Sequence, residues 1–105
     1  MEKGGIAEAV KTVTKEVQKP LEPEKYDVVF INDHLTPMEF VIRVLKQIFS
    51  KSTEEAKAIT TYIHEHGKGI VGSYVFEVAE QKGIETTLLA RQEGYPLQIK
   101  IQKQK

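Results

Sequence analysis

Asn32-Asp33-His34-Leu35-Thr36-Pro37-Met38-Glu39-Phe40 packs a strand exit, a polar turn and a helix start into one run of chain. Upstream, Tyr26 to Ile31 is aromatic and β-branched apart from Asp27, which predicts a strand leading into the turn. Thr36 is an N-cap residue, and Pro37 suits the first helical position, where its missing N–H costs nothing. Glu39 stands where it completes a capping box with Thr36, and Leu35 and Phe40 stand where they form a hydrophobic staple. Those roles account for Leu35 to Phe40. They leave Asn32, Asp33 and His34, three polar side chains at the lip of an apolar strand, where a rigid scaffold tends to carry function.

Downstream, the first helix is expected from Pro37 to about Phe49, with Val41, Val44, Leu45 and Ile48 inward and Met38 at its upstream end. Ser52 and Glu55 form a second capping box, opening a helix that runs to about His66. Ala56, Ile59 and Ile63 form its apolar face, and Gly67 is placed for a left-handed C-cap. Gly69 to Ala79 alternates as a strand, with Tyr74, Phe76 and Val78 on one side. A third helix is expected over roughly Gln81 to Gln92, turning Ile84, Leu88 and Leu89 inward, before Gly94-Tyr95-Pro96 stops it. Leu97, Ile99 and Ile101 then alternate with polar residues in a last, half-buried strand. The order β-α-α-β-α-β predicts an α+β fold, a three-stranded antiparallel sheet with three helices packed on one face. Residues 1–24 read differently. Ile6, Val10, Val13 and Val17 keep helical spacing, but Gly4-Gly5 and several β-branched residues weaken it, and Lys19-Pro20-Leu21-Glu22-Pro23 favours extended chain. The expectation is a mobile N-terminal arm ahead of one folded domain over 25–105.

Lysine plus arginine number 15, as do aspartate plus glutamate, so the chain lacks the basic excess of a generic nucleic-acid or anionic-membrane binder. It has no cysteine, which excludes disulfides, thiolate nucleophiles and cysteine-ligated zinc. No apolar run approaches the roughly 18 residues of a membrane span, and no signal-peptide core follows Met1. The expectation is a cytoplasmic monomer with no nucleic-acid or membrane partner.

Two catalytic readings are available and both are weak. Asp33, His34 and His64 offer ligand chemistry for a small metal-dependent hydrolase, but their spacing matches no familiar pattern. Ser50, Ser52 and Ser73 lack the mount that a nucleophilic serine needs. Binding is better supported. An α-ammonium group has three donors and no acceptor, so Asn32, Asp33 and a neutral His64 form a suitable acceptor set. Met38, Val41, Ile63 and Leu97 are candidates to line an apolar hollow beside it. A protonated His64 cannot accept, so this reading predicts weaker binding on acidification. His66, two residues on, points to another side of its helix and is expected to be solvated.

The sequence resembles the ClpS adaptors of the bacterial N-degron pathway. The likeness rests on Asn32-Asp33, Thr36-Pro37-Met38-Glu39-Phe40-Val41, Val44-Leu45, Ile63-His64 and Gly67-Lys68. It continues through Gly72, Glu77-Val78-Ala79-Glu80, Lys82, Ala90-Arg91 and Pro96-Leu97, covering nearly all of 25–102. It implies an adaptor, not an enzyme and without a cofactor. Such an adaptor captures proteins beginning with Leu, Phe, Tyr or Trp and delivers them to the ClpA–ClpP unfoldase–protease. By resemblance, Asn32, Asp33 and His64 hold the α-amino group. Phe30, Thr36, Met38, Val41, Ile63 and Leu97 surround the side-chain pocket, with Met38 as its gate. Glu77 and Lys82 match positions used against the N-terminal domain of the unfoldase, and the arm matches an extension used in substrate transfer. Two residues depart from the family pattern. His34 stands where Asp is usual, and Thr60 where Met is frequent, which weakens the negative field and enlarges the pocket. A purely structural interaction domain like that of the ribosomal stalk shares the fold and predicts no dependence on a free amine.

Overall fold

The computed structural model describes residues 23–105. Most of the expected arm, 1–22, lies outside the described residues. Strand β1 is Lys25–Ile31, helix α1 Met38–Gln47, helix α2 Thr53–His66, strand β2 Lys68–Val75, helix α3 Phe76–Gln92 and strand β3 Gln98–Lys103. All pairings are antiparallel and the strand order is β2-β1-β3, so the first strand is central. Val28 and Phe30 of β1 are fully buried among Val44, Leu45, Val71 and Leu97, which form one continuous core. The opposite face of β1 carries Asp27, Val29 and Ile31, opposite Ser73, Ile70 and Lys68 of β2.

α2 forms as its caps dictate. Ser52 Oγ accepts from the Glu55 backbone N–H, and Glu55 returns the bond to the Ser52 N–H. Gly67 ends the helix at φ 88°, and its N–H donates to the Ile63 carbonyl. A left-handed residue here lets the chain reverse at once into β2.

The third helix corrects the sequence reading in two ways. β2 ends at Val75, and Phe76 to Ala79 is helical rather than extended. The Phe76-x-Val78 alternation is too short to separate the two states, and Glu77 in the first turn favours the helix through the macrodipole. The inward face is also different. Ile84 and Leu88 are 54% and 65% exposed, while Ala79, Gly83, Thr86 and Ala90 are buried. Small residues at that spacing let the helix axis approach the sheet. A Cβ on Gly83 would already stand 3.3 Å from Ile101 and 3.4 Å from Ile99. Close approach, not hydropathy, chose this face. β2 also departs from simple alternation. Val28 pairs with Gly72 and Val29 with Ile70, so Val71 is an extra residue in a bulge.

Gly67→Ala tests the reversal. Placing a Cβ in the left-handed region costs about 1–2 kcal/mol, so chemical denaturation is expected to show a loss of that size. Gly67→Asn is expected to recover part of it, because Asn tolerates that conformation. Equal stability of Gly67→Ala and the parent would contradict this role.

Candidate functional site

The turn after β1 is built by Asp33. Its Oδ1 accepts from the backbone N–H of Leu35 and of Thr36, both at 2.7 Å, and its Oδ2 accepts from the Thr36 hydroxyl at 2.7 Å. Thr36 is therefore not the expected N-cap of a capping box, in which its hydroxyl oxygen would accept from the Glu39 N–H. The helix starts one residue later, Pro37 takes the N-cap place without a side-chain bond, and its carbonyl accepts from Phe40 and Val41. Thr36 instead donates its hydroxyl and its backbone N–H to the Asp33 carboxylate, charge-assisted bonds that hold it in the turn ahead of the helix. The staple is also absent. Leu35 is 73% exposed, whereas Phe40 is buried and packs edge-on against Tyr95.

Burial raises the Asp33 pKa, but the bonds from the Thr36 hydroxyl, Thr36 N–H and Leu35 N–H, with the nearby His34 charge, outweigh it. The net result lies below the ordinary carboxylate value of 3.8. A depressed folded pKa means that this turn's contribution to stability is present above 3.8 and is lost as pH falls through the folded value. Three of about four lone-pair sites of the carboxylate are used inside the turn. One remains for an external donor.

A second bond fixes where the turn sits. The Asn32 N–H donates to the Gly67 carbonyl at 2.8 Å, just past the last turn of α2. That helix turn carries Ile63, buried, and His64, exposed. The structure thus brings Asn32 and Asp33, both half-buried, to the C-terminal end of α2 where His64 stands. Of the residues expected to line a pocket, Val41, Thr60 and Ile63 are buried and Met38 is 43% exposed at the start of α1. Thr36 is half-buried, and Phe30 and Leu97 lie in the core. Thr60 donates its hydroxyl to the Ala56 carbonyl at 2.7 Å, so its polar atom is satisfied within the helix.

Three features were not legible beforehand. The Gly67 carbonyl serves as the anchor for Asn32, which depends on strand register rather than on any local motif. The Arg91 guanidinium donates to the Tyr95 and Leu97 carbonyls at 2.8 Å each and holds the loop that presents Leu97. Lys82 donates to the Ile48 carbonyl at 2.7 Å and lies over the Phe49 and Tyr74 rings, so its ammonium sits at the C-terminal end of α1. Glu77, by contrast, is exposed in the first turn of α3. His66 is exposed as expected, and its ring stacks on Tyr62 at 4.0 Å.

Asp33, His34 and His64 do not form a metal centre. Among the described residues no group of three or more His, Asp or Glu side chains could hold an ion. What this end of the molecule presents is acceptors beside an apolar layer, the equipment of a binding domain. The comparisons fit that class. The model of the family described as ATP-dependent Clp protease adaptor protein ClpS matches residues 21–100. A ClpS adapter of Phenylobacterium zucineum is 44% identical over 99 residues, covering 94% of this chain and 89% of the relative. One of Parvibaculum lavamentivorans is 42% identical over 103 residues, covering 98% and 92%. Agrobacterium tumefaciens ClpS2, solved bound to L-phenylalaninamide, superposes with a TM-score of 0.76 at 32% identity, covering 79% of this chain and all of that one.

The chain belongs to the ClpS family. It is accordingly an adaptor of the ATP-dependent Clp protease and not an enzyme. No helix among the described residues is long and apolar enough to cross a membrane.

Thr36→Val tests the turn, because it keeps the shape of Thr36 and removes the hydroxyl donor. The Asp33 carboxyl is expected to titrate at higher pH by NMR, with a stability loss of about 1–2 kcal/mol at neutral pH. That loss should shrink at pH values where Asp33 is protonated in both states. An unchanged Asp33 titration would contradict the assignment.

Proposed function

We propose that this adaptor reads the free N-terminus of its substrates at the Asn32–Asp33 turn and the end of α2, and delivers them to a ClpA-type unfoldase. The observation that carries the reading is the Asn32 N–H to Gly67 carbonyl bond, which ties the polar turn to the helix end bearing His64. In this reading the Asn32 carbonyl oxygen, the unused site on the Asp33 carboxylate and the His64 ring accept from the three donors of an α-ammonium group. The first side chain enters between Met38, Val41, Thr60 and Ile63, with Thr36 at the rim and Phe30 and Leu97 behind. The phenylalaninamide held by the Agrobacterium protein has the chemistry this requires, a free amine next to a large apolar side chain.

Magnitudes make the reading reasonable. Hydrogen bonds to charged groups contribute roughly 1.5–3 kcal/mol each, and burying a Leu or Phe side chain about 1.5–3 kcal/mol. After ordering costs, two or three such bonds and one buried side chain reach on the order of micromolar affinity. Thr60 is short and its hydroxyl is satisfied within the helix, so in this reading it leaves beside the first side chain room that a longer residue would take. A β-branched first residue is the substrate this would admit. Delivery runs through α3, where exposed Glu77 is the residue that meets the unfoldase. Lys82 supports that face from within, and its removal would also uncap α1.

Fluorescence anisotropy with decapeptides beginning Leu, Phe, Ile or Glu, and with an N-acetylated Leu control, tests the reader. Leu and Phe are expected to bind, Glu and the acetylated peptide to lose at least about tenfold, an energy of roughly 1.4 kcal/mol. Ile binding within about tenfold of Leu would assign a relaxed pocket to Thr60. Equal affinity of acetylated and free Leu peptides would overturn the amine-reading site. Separately, Glu77→Lys is expected to abolish capture by the isolated unfoldase N-terminal domain while leaving peptide affinity unchanged.

A further inference from the structure

A groove of about 570 Å³ runs along the sheet face opposite the core. Val29 and Ile31 of β1 and Ile70 of β2 form its apolar floor. One wall is the end of α2, where the His66 ring stacks on Tyr62 at 4.0 Å and its Nδ1–H donates to the Tyr62 carbonyl at 3.0 Å. Lys100 and Gln102 of β3 stand across the floor from it. Ile70 and Tyr62 are 53% and 52% exposed, an open apolar patch with a polar rim, which is a common mark of a docking surface.

The charge and the position of the groove say what covers it. Lys68 and Lys100 line it and are both exposed, and among the described residues neither forms an ion pair. None of the described residues that line it is Asp or Glu. Asp27, at its far end, is buried, and its Oδ1 accepts from the Ser73 hydroxyl and the Gln104 side-chain amide. In a chain with no net charge this is a local positive field. The near end of the groove adjoins the Asn32–Asp33 turn. Ile31 precedes Asn32, and His66 and Lys68 flank Gly67, whose carbonyl accepts from the Asn32 N–H.

We propose that this groove holds the stretch of substrate that follows the bound N-terminus, and that it favours a stretch combining a large apolar side chain with carboxylates. The inference rests on the amine-reading function proposed above. From Ile31 to the level of Asp27 the floor is about 13 Å long, which is about four residues of extended peptide. The apolar side chain covers Ile70 and Tyr62, and the carboxylates meet the Lys68 and Lys100 ammonium groups, whose long stems let them follow the ligand. Exposed ion pairs are individually weak, so the groove does not create binding on its own. Once the first residue is anchored, however, the downstream contact is intramolecular, and a weak contact then counts. The groove thus discriminates among substrates that begin with the same residue.

Fluorescence anisotropy on the full chain tests this with decapeptides that share Leu first and differ at the fourth to seventh positions. One carries an Asp-Phe-Asp-Ile run, one the same run with Lys for Asp, and one only Gly and Ser. The acidic apolar run is expected to bind at least about fivefold tighter than the other two. The double variant Ile70→Thr/Lys100→Glu, changed at two exposed positions, is expected to erase that advantage. By NMR the acidic run should move the amides of Val29, Tyr62, Ile70 and Lys100 together with those of Asn32 and Asp33, and N-acetylation should weaken both sets. Equal affinity of the three peptides would overturn the proposal, as would an advantage that survives the double variant. Groove shifts of undiminished affinity after N-acetylation would make the groove a separate site for acidic peptides and overturn it too. Shifts at Asn32 and Asp33 with L-phenylalaninamide, which is too short to reach the groove, test the amine reading separately.

Discussion

The Asp33 carboxylate holds the site together. Three donors converge on it within a four-residue span, and they set the direction in which the chain leaves β1 and enters α1. One further backbone bond, from Asn32 to the Gly67 carbonyl, fastens this turn to the far end of α2. Without the first, Thr36 and Pro37 would be free to open the helix differently. Without the second, the polar turn and His64 would belong to separate surfaces. A charged acceptor in a half-buried place is costly unless its lone pairs are filled, and the turn fills three of them. In the proposed function, the remaining one is what meets the ligand.

The three bonds to Asp33 restrain the turn. A carboxylate aimed by its own backbone needs little reorganisation to meet an ammonium group, so less of the binding energy is lost to ordering. Arg91 does for the Leu97 loop what Asp33 does for the first turn, with two bonds to neighbouring carbonyls. Lys82 does something similar at the end of α1, where its ammonium meets the Ile48 carbonyl. The charged residues most involved in shaping the domain thus spend much of their hydrogen-bonding capacity on backbone groups.

Much of this was legible in the sequence. The Ser52–Glu55 box, the left-handed Gly67 and the last strand are local signals, and local signals suffice where a short-range bond decides the conformation. The run from Asn32 to Phe40 forms the strand exit, turn and helix start that its composition predicts, but its internal bonding differs. A capping box and an aspartate-centred turn use the same residue types, and they are separated only by where the helix starts, here with Pro37 rather than Thr36 at the N-cap. α3 departs from its hydropathy pattern for a different reason. Hydropathy placed Ile84 and Leu88 inward, but the sheet accepts Ala79, Gly83, Thr86 and Ala90, because closeness to Ile99 and Ile101 favours small residues. The pairing of Asn32 with Gly67 depends on strand register, which no motif within either segment declares.

The central claim is that one end of the molecule, where the Asp33 turn meets α2, receives an α-amino group. The most direct test is an amide and side-chain NMR titration with L-phenylalaninamide, run beside its N-acetylated form. The account predicts saturable shifts at Asn32, Asp33, Thr36, Ile63 and the His64 ring with the free amine, and none there with the acetylated compound. Shifts confined to another surface, such as the groove of about 570 Å³ lined by Val29, Tyr62 and Ile70, would contradict it. So would equal responses to the two compounds.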